Sequence, residues 1–454
     1  MPEACDYLLA ASHILASAEE GPAPDNEHKA LAVSKGRIVA LGAYTELRQH
    51  WQPRRQLDLG RAMLMPALIN AHTHVAMTLF RGVADDLPLM EWLEEHIFPL
   101  ERHLSDELTY LGAMLGCAEM IRSGIGAFQD MYLFEDAVCR AAETSGLRCL
   151  AGEVIFSFPT AASSGPAESL KQVEAQAEKW RGHPRIGIAV MPHAVYTSDP
   201  QLLRQCVKLA ERLELPLHMH LAESPSETAA CLNMHGKRPV PYCRELGILQ
   251  ERSSLAHVVD VNEDELDMLA QSGASIVHNP SSNMKLASGI APLPAMLERK
   301  MKLALGSDGA AANNRLNIFT EMGRAALLHK AHSLNPTLGT AGQIFHAATS
   351  GGAQALGQPQ LGRLAVGGPA DLIALDLKAP NLQPLYKPLS HAVYAATGLE
   401  TRLNMVNGEI LYLDGAFSRF DYAELLEKLG EAHKKIHKLH ANLHPGAKKA
   451  DISS

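Results

Sequence analysis

The chain has 454 residues, of which 46% are hydrophobic and 20% charged, with a formal net charge of −9 at pH 7. Such a length and composition can bury a large core and predict two or three domains. The acidic balance gives no electrostatic basis for a nucleic-acid partner, and no stretch approaches the roughly 20 uncharged apolar residues that span a bilayer.

The N-terminus and the cysteines indicate the compartment. The first twenty residues carry no basic segment before their short apolar run, so they do not predict a secretory signal peptide. The seven cysteines are an odd number, and no two of them are spaced as CxxC. This usage is typical of a reduced, cytoplasmic protein, in which a metal would bind to histidines and carboxylates rather than to thiolates.

Short β segments are predicted at both ends of the chain. Apolar residues alternate on either side of a turn at Gly36 in residues 1–64, and around a turn at Gly408 in residues 365–420. The two ends therefore predict one small β-sandwich domain. Residues 421–454 are predicted to form a C-terminal helix and tail. Four histidines recur there at helical spacing and are interpreted as part of a solvated face: His433, His437, His440 and His444.

Residues 65–364 alternate apolar runs with amphipathic, helix-like stretches. The apolar runs are AMLMPALINAHTH, GAFQDMY, LRCLAGEVIF, RIGIAVMPHAVY, LPLHMHLAES, SSLAHVV, ASIVHNPSSN and KLALGSDGAA. Strands buried on both faces read as continuous apolar runs, and alternation with helices implies parallel pairing. Eight such units predict an α/β fold in which a (β/α)8 TIM-like barrel forms the catalytic domain.

Polar residues stand at the ends of nearly all of these runs. They are His72, His74, Asp130, Glu153, His193, His220, Glu223, His257, His278, Asn279 and Asp308. In barrels of this type the active site forms where the strands end. His72 and His74 share one face of the first strand, because side chains alternate along a strand. Taken alone, the HxH pair is explained equally well by two histidines that pack in the core and bind no metal.

The other strand ends favour a metal site. His220 can add a nitrogen ligand and Asp308 an oxygen ligand to the first two histidines. Three histidines and one aspartate, with positions left for water, describe a catalytic rather than a structural site. Zinc is the default ion for this ligand set, although iron or manganese would accept it as well.

Taken together, these motifs resemble the metal-dependent amidohydrolase superfamily. The matching segments are the HxH after a proline, the HLAE stretch, the His257 strand, HNPSSNMKL and GSDGAA. In particular they resemble the aminohydrolase branch of 5′-methylthioadenosine/S-adenosylhomocysteine deaminases. The resemblance covers nearly the whole chain, including the divided β domain.

The resemblance implies a role for each candidate site residue. The implied metal ligands are His72, His74, His220 and Asp308. Glu223 is then the acid/base that moves protons, and His257 a partner of the attacked group or of the metal's water. Alternation alone leaves His218 and His220 on the same face, and only the match to the family selects His220. Relatives with two ions carry a lysine on the fourth strand. RIGIAVMPHAVYT has none, so one divalent ion is implied.

The segment RGVADDLPLMEWLEEHIFPLE resembles the part of the family that covers the nucleoside. In it, Trp92 is similar to an aromatic wall near the 5′ substituent and Glu101 to the carboxylate that holds the ribose hydroxyls. His193 resembles a residue that contacts the purine or the ribose, and Glu223 faces a ring nitrogen. The alternative is a plain amphipathic helix, with Trp92 in its core and Glu101 solvated.

The expected reaction is hydrolytic deamination of an adenosine-type nucleoside to the inosine analogue and ammonia, with Asp308 accepting a proton from the metal-activated water. Relatives that accept S-adenosylhomocysteine offer arginines after the third strand, whereas LAGEVIFSFPTAASSG has none. Methylthioadenosine is therefore favoured, and S-adenosylhomocysteine and adenosine stay open. The alternatives are a guanine, pterin or s-triazine aminohydrolase and, more distantly, a non-catalytic scaffold. We expect a homo-oligomer without nucleic-acid or membrane partners.

Overall fold

The computed structural model describes residues 2–19 and 28–443. In the N-terminal part, the strands are β1 (Glu3–Ala11), β2 (His13–Ile14), β3 (Lys29–Ser34), β4 (Arg37–Ala43), β5 (Trp51–Asp58) and β6 (Ala62–Pro66). In the middle they are β7 (Leu68–Thr73), β8 (Ile125–Tyr132), β9 (Arg148–Ile155), β10 (Ile186–Ile188), β11 (Met191–Pro192), β12 (Leu217–Leu221), β13 (Ser253–His257), β14 (Ser275–His278) and β15 (Lys302–Leu305). In the C-terminal part they are β16 (Leu372–Asp376), β17 (Thr401–Val406), β18 (Glu409–Leu413) and β19 (Ala416–Phe417).

Helices separate most of these strands. They are α1 (Tyr44–His50), α2 (Leu89–Glu91), α3 (Phe98–Glu101), α4 (Asp106–Arg122), α5 (Glu135–Ser145), α6 (Pro166–Lys179), α7 (Pro200–Leu213), α8 (Pro225–His235), α9 (Pro239–Leu246), α10 (Glu263–Ser272), α11 (Pro280–Lys285), α12 (Leu293–Glu298), α13 (Ala310–Asn313), α14 (Ile318–His332), α15 (Ala341–His346), α16 (Gly352–Ala355), α17 (Pro388–Tyr394) and α18 (Tyr422–Leu443). Short 3₁₀ or π turns occupy Val75–Phe80, Trp92–Ile97, Ala347–Gly351 and Pro380–Leu382. Across the described part of the chain, no helix combines the length and the apolar character needed to cross a membrane. The seven cysteines are all buried and free.

The hairpins predicted at the two chain ends are confirmed. β3 pairs antiparallel with β4, and β17 pairs antiparallel with β18. Gly36 and Gly408 have φ angles of 75° and 73°, the left-handed conformation that tight hairpin turns require. A Cβ atom on Gly36 would lie 2.8 Å from the carbonyl oxygen of Asn407. The two turns therefore touch, and that contact leaves no room for a side chain.

Strands from both chain ends share one hydrophobic cluster. One sheet has the order β4-β3-β1-β5, and the other has the order β19-β18-β17-β16-β6-β2. β16 pairs antiparallel with β6, so the C-terminal part adds directly to an N-terminal strand. The cluster between the sheets includes Leu9, Leu31, Leu64, Leu372 and Leu403. The expectation that the two ends come together is therefore met.

The middle of the chain forms two parallel sheets, in the orders β10-β9-β8-β7 and β12-β13-β14-β15. Each of the eight predicted runs contains a strand, but two runs are broken. The first divides between β6 and β7, because Pro66 has no N–H to continue the ladder of β6. The fourth divides between β10 and β11, which both pair with β9.

Hydrogen bonds connect the two parallel sheets at both of their outer edges. At one edge, the Val190 N–H donates to the carbonyl of Pro216 at 2.9 Å, and the His218 N–H donates to the carbonyl of Val190 at 3.0 Å. At the other edge, the Asp308 N–H donates to the carbonyl of His72 at 3.0 Å. The carboxyl ends of β7, β12, β13 and β15 consequently meet at one end of the molecule.

The C-terminal helix α18 packs one face against the rest of the protein and exposes the other. Leu425, Leu429 and Ile436 are buried, whereas His433 and His437 are exposed. These two histidines therefore lie on a solvated face, as their spacing predicts. His444 lies outside the described residues.

Candidate active site

Four side chains from three strand ends converge in the interior. His72 lies on β7 and His74 directly follows it, while His220 lies on β12 and Asp308 follows β15. The Nε2 atoms of His72 and His74 lie 3.6 and 3.2 Å from Asp308 Oδ1. The Nε2 atoms of His220 and His74 are 3.3 Å apart. The structure thus brings together all four residues that the sequence singles out as metal donors.

This donor set fits a divalent metal ion. Nε2 of His72 is buried without a hydrogen-bond partner among the described residues. Burial lowers the pKa of His72 to about 4 and that of His220 well below its ordinary value, so both rings are neutral and offer lone pairs. Although burial lowers it, hydrogen bonding to Asp308 raises the pKa of His74 to about 9, so a bound cation would take the place of the proton on this ring. Three imidazoles and a carboxylate are a ligand set that zinc prefers.

The carboxylate of Asp308 is held rigidly. Ser282 Oγ donates to its Oδ2 at 2.6 Å, and the Gly309 N–H donates to its Oδ1 at 2.7 Å. Its backbone has a φ of 60°, a conformation that aspartate tolerates better than most residues. Thr73 Oγ1 donates to its carbonyl oxygen at 3.0 Å and so fixes this turn against β7. The donor oxygen therefore keeps one position relative to the histidines.

Glu223 and His257 lie beside the four donors. Glu223 follows β12 and is buried, and this burial raises the pKa of its carboxyl group. Its Oε1 lies 3.9 Å from Nδ1 of His257. The same Nδ1 lies 2.8 Å from Asn283 Oδ1, which leaves Nε2 to face the donors. In agreement with this, one ring nitrogen of His257 lies within 4.8 Å of ligand atoms of His72 and His220.

The helix after Glu223 does not use it as a cap. Ser224 occupies the N-cap of α8 and accepts a hydrogen bond from the backbone of Glu227. The Glu227 carboxyl in turn accepts the backbone N–H of Glu223 at 2.7 Å. Glu223 is therefore positioned through its main chain, and its own carboxyl group stays available to the cavity.

A small enclosed cavity of about 50 Å³ adjoins this cluster. Its wall includes Leu89, Trp92, Phe98, Glu101, Tyr132, Phe156, His193, Glu223, His257 and Asp308. Pockets for drug-sized ligands measure roughly 300–1,000 Å³, so side chains must move before a nucleoside can enter. A wider cleft of about 1120 Å³ lies elsewhere, between α4, α14 and α17, and contains none of the predicted site residues.

Trp92 and Glu101 both face the cavity, and both are buried, at 5% and 8% exposure. The alternative in which Glu101 is solvated is therefore wrong. A π turn over Trp92–Ile97 lies between α2 and α3, and such turns are frequent at functional sites. Burial raises the pKa of Glu101 to about 7, although the Tyr132 hydroxyl and the charge of His74 oppose this shift.

His193 contacts both the cavity and the donor cluster. Its carbonyl oxygen lies 3.0 Å from Nδ1 of His220, and its ring lies 4.6 Å from that of Phe156. Nδ1 of His193 lies 2.9 Å from Thr197 Oγ1. Burial lowers its pKa to about 3, so the ring is neutral. His193 therefore orients His220 through its main chain and lines the cavity with its side chain.

Two other polar strand ends have structural positions. Asp130 Oδ1 accepts the backbone N–H of Val75 at 2.6 Å, next to His74. Glu153 accepts the backbone N–H groups of Phe134 and Glu135 at 3.0 and 2.9 Å, where α5 begins. The Nε2 atoms of His278 and His329 lie 3.1 Å apart. Neither of these histidines belongs to a candidate metal cluster among the described residues.

Several site residues were missed by sequence reasoning. His218 is buried, as packing predicts, but its Nε2 lies 2.8 Å from Nδ1 of His72. Tyr132 lines the cavity with a buried hydroxyl group that interacts with the Glu101 carboxyl group. Ser282 and Asn283 hold Asp308 and His257. The HNPSSN motif contains these last two residues and is the only signal that could have identified them.

Comparison with known proteins identifies the family of this chain. The model of the Amidohydrolase family matches residues 63–411. The chain belongs to the amidohydrolase family.

Among its relatives is 5-methylthioadenosine/S-adenosylhomocysteine deaminase of Nitratidesulfovibrio vulgaris strain Hildenborough, 54% identical over 95% of this chain and 97% of the relative. The protein of the same name from Desulfovibrio desulfuricans is 55% identical over 94% and 96%. A solved structure of an adenosine deaminase from Xanthomonas campestris with bound zinc is 37% identical. It superimposes with a TM-score of 0.93 over 96% of this chain and 100% of the other.

Proposed function

We propose that this protein is a metal-dependent aminohydrolase that deaminates adenosine-type nucleosides by hydrolysis, with 5′-methylthioadenosine as the preferred substrate. One observation carries the proposal: the donors His74, His220 and Asp308 line a single cavity with the buried acid Glu223 and the buried carboxylate Glu101, and His72 clusters with these donors. The names of relatives that are 54% and 55% identical over nearly the whole chain support deamination of methylthioadenosine or S-adenosylhomocysteine.

The ion is held by His72, His74, His220 and Asp308, and we propose a single zinc ion. Zinc in the related Xanthomonas structure supports this choice. When bound, the ion supplies water activation at neutral pH, because divalent metals lower the pKa of a water ligand to about 7. The same donors would accept iron or manganese, and metal analysis of the purified protein distinguishes these ions.

The protein groups then move protons around the reacting carbon. Water adds to the purine carbon that bears the amino group, and the carbon–nitrogen bond breaks to release ammonia. Glu223, whose pKa is raised, donates a proton to the adjacent ring nitrogen, then takes up the proton of the added hydroxyl group and delivers it to the departing amine. Asp308 accepts a proton from the water and returns it to Glu223 for the next turnover. His257 orients the adding water by accepting a hydrogen bond at Nε2, since its Nδ1–H donates to Asn283 Oδ1 and leaves a lone pair on Nε2.

The rest of the cavity selects the nucleoside. Glu101 accepts hydrogen bonds from both ribose hydroxyls, while Trp92 and His193 pack against the sugar and the base. No lysine or arginine is present among the described residues of the cavity wall. Instead, Phe156 lies 6.1 Å from Phe98 and 4.8 Å from Phe158, ring centre to ring centre. An apolar methylthio group fits this aromatic wall better than the charged tail of S-adenosylhomocysteine does. S-adenosylhomocysteine and adenosine are therefore weaker substrates than methylthioadenosine.

We also propose the domain architecture that the sequence predicts, a barrel with a small β-sandwich domain. The two parallel sheets form one closed (β/α)8 barrel over residues 65–364, and the hydrogen bonds at both of their edges support closure. Residues 1–64 and 365–420 contribute the strands of a β-sandwich domain, and residues 421–454 are the predicted C-terminal helix and tail, of which α18 ends at Leu443 and the tail lies outside the described residues. Strand β6 belongs to the six-stranded sheet and ends at Pro66, which supports a domain boundary close to residue 65.

The protein works in the cytoplasm as a homo-oligomer, with a small nucleoside and without a nucleic acid or a membrane as partner. Its net charge of −9 and its seven free cysteines support this setting. Leu327 and Leu399 are exposed at 60% and 78% and line the wide cleft, and a second copy of the chain would cover them. Light scattering of Leu399→Glu against the unchanged protein tests the oligomer.

Ammonia release measured with four substrates tests the proposed activity. The expected order of kcat/KM places methylthioadenosine first, S-adenosylhomocysteine and adenosine below it, and guanine at background. Guanine turnover above that of all three nucleosides would contradict the nucleoside assignment and favour the guanine alternative. S-adenosylhomocysteine ahead of methylthioadenosine would contradict the proposed preference for methylthioadenosine and the role of the aromatic wall, and would leave nucleoside deamination standing.

A further inference from the structure

A chain of buried hydrogen bonds lies behind His72. Its Nδ1 is 2.8 Å from Nε2 of His218, and Nδ1 of His218 is 2.8 Å from Ser254 Oγ. Ser254 Oγ in turn accepts from Gln129 Nε2 at 3.1 Å and donates to Gln129 Oε1 at 3.4 Å. The four side chains come from β7, β12, β13 and β8, and none is more than 1% exposed.

The direction of these hydrogen bonds follows from the chemistry of the donor site. His72 offers a lone pair on Nε2 only if its proton sits on Nδ1, because a neutral imidazole carries one proton. Nδ1–H then donates to Nε2 of His218, and Nδ1–H of His218 donates to Ser254 Oγ. The hydroxyl of Ser254 ends the chain on the side-chain oxygen of Gln129. The opposite direction would put the proton of His72 on Nε2 and remove the lone pair.

The other two histidine donors are oriented differently. Nδ1 of His74 contacts the carbonyl oxygen of Met131, and Nδ1 of His220 contacts the carbonyl oxygen of His193. Main-chain carbonyls can only accept, so they fix the tautomer whatever side chains surround them. Of the three histidine donors, His72 alone depends on a side chain for this purpose. Its readiness to bind an ion is therefore sensitive to substitution at His218.

We propose that His218, Ser254 and Gln129 are positioning residues that hold the ring and tautomer of His72 for the metal ion. They act through His72 and touch neither substrate nor ion. The inference rests on the proposed function only in taking these donors to hold a divalent metal. It adds to the site the chain of hydrogen bonds from His72 through His218 and Ser254 to Gln129, which we call the relay. It also assigns a role to His218, which alternation could not distinguish from His220.

Zinc affinity of the full-length protein tests this relay. Metal-free protein is titrated with zinc against a competing chelator. His218→Leu removes the acceptor and is expected to weaken zinc binding by about 10–100-fold, the usual loss when such an outer partner is removed. His218→Gln places an amide oxygen near the former Nε2 and should restore most of the affinity. Ser254→Ala should give a smaller loss in the same direction.

His278→Leu provides the matched control. His278 is as deeply buried as His218 and bonds to His329 rather than to a metal donor. Its substitution should lower the melting temperature of the metal-free protein and change zinc affinity by less than about twofold. If His218→Leu does not fold, Ser254→Ala and His218→Gln still bracket the relay, and unchanged affinity in Ser254→Ala would then overturn it.

Two results would overturn the inference outright. One is wild-type zinc affinity in a folded His218→Leu protein. The other is an equal loss of affinity in His278→Leu, because the effect would then reflect general destabilisation of the core. The assay contains no substrate, so a protein that binds zinc as expected but deaminates no nucleoside would refute the proposed function and leave the relay standing.

Discussion

Replacement of Glu101 by alanine should reduce kcat/KM for methylthioadenosine by about 10–10³-fold. The carboxylate is 8% exposed and lines the cavity beside Trp92, so its hydrogen bonds to two ribose hydroxyls would form with little competition from water. Such charge-assisted bonds contribute about 1.5–3 kcal/mol each. Water that enters the space left by the mutation replaces part of this contact. At about 1.4 kcal/mol per decade, two such bonds correspond to about 10²–10⁴-fold in kcat/KM, and the entering water reduces this loss to the expected range of about 10–10³-fold.

A cycle of two enzymes and two substrates isolates this interaction. Wild type and Glu101→Ala are each assayed with methylthioadenosine and with its 2′,3′-dideoxy analogue. The analogue should already be a poor substrate for the wild type, and Glu101→Ala should make it little worse, because the same hydrogen bonds are lost in both cases. Glu95→Ala, an exposed glutamate on the same segment, is the control and should leave both rates unchanged.

Two outcomes would refute the reasoning. In the first, the losses from the mutation and from the missing hydroxyls multiply independently, which would show that Glu101 and the hydroxyls do not interact. In the second, Glu101→Ala retains the wild-type rate on methylthioadenosine. Either result would remove the ribose contact and weaken the nucleoside assignment with it.

Four further predictions follow from the same geometry. Glu223→Gln should keep its metal and lose about 10²–10⁴-fold in kcat, the usual contribution of general acid–base catalysis, and an unchanged kcat would exclude Glu223 as the acid. His74→Ala should lose most of its metal, as measured by elemental analysis, while circular dichroism shows an intact fold; full metal content would contradict the ligand assignment. Phe156→Arg should raise the preference for S-adenosylhomocysteine over methylthioadenosine by about tenfold, since one charge-assisted bond contributes about 1.5–3 kcal/mol, and an unchanged ratio would place the 5′ group elsewhere. Because burial raises the pKa of Glu101 to about 7, kcat/KM for nucleosides should rise as increasing pH ionises this acceptor, and the pH profile of Glu101→Gln should lack that rising limb.

The metal donors could be predicted from the sequence because they depend on strand register and strand ends. His72 and His74 follow the two-residue period of a strand, and the runs that end at His220 and Asp308 supply the two edge strands of one parallel sheet. A parallel arrangement brings strand ends together even when they are far apart in the chain. Periodicity and chain order therefore bring these strand ends to one site, whereas the choice of His220 over His218 depends on the resemblance to the family.

Other features depend on contacts that no local pattern encodes. Glu101 is buried against the cavity and follows a π turn over Trp92–Ile97, which interrupts the ordinary helical period of this segment. The contact between His218 and His72 follows from how side chains of opposite strands meet in the interior. The break of the fourth run between β10 and β11 likewise reflects pairing with β9 rather than composition.

Deamination of methylthioadenosine by one protein sample, measured with its metal content before and after chelation, tests the central claim most directly. The predicted result is one zinc ion per chain and release of ammonia together with the inosine analogue. Both should be lost on chelation and both restored by one equivalent of zinc. Undiminished turnover by metal-free protein, or a zinc-loaded protein that deaminates no adenosine derivative, would contradict the account.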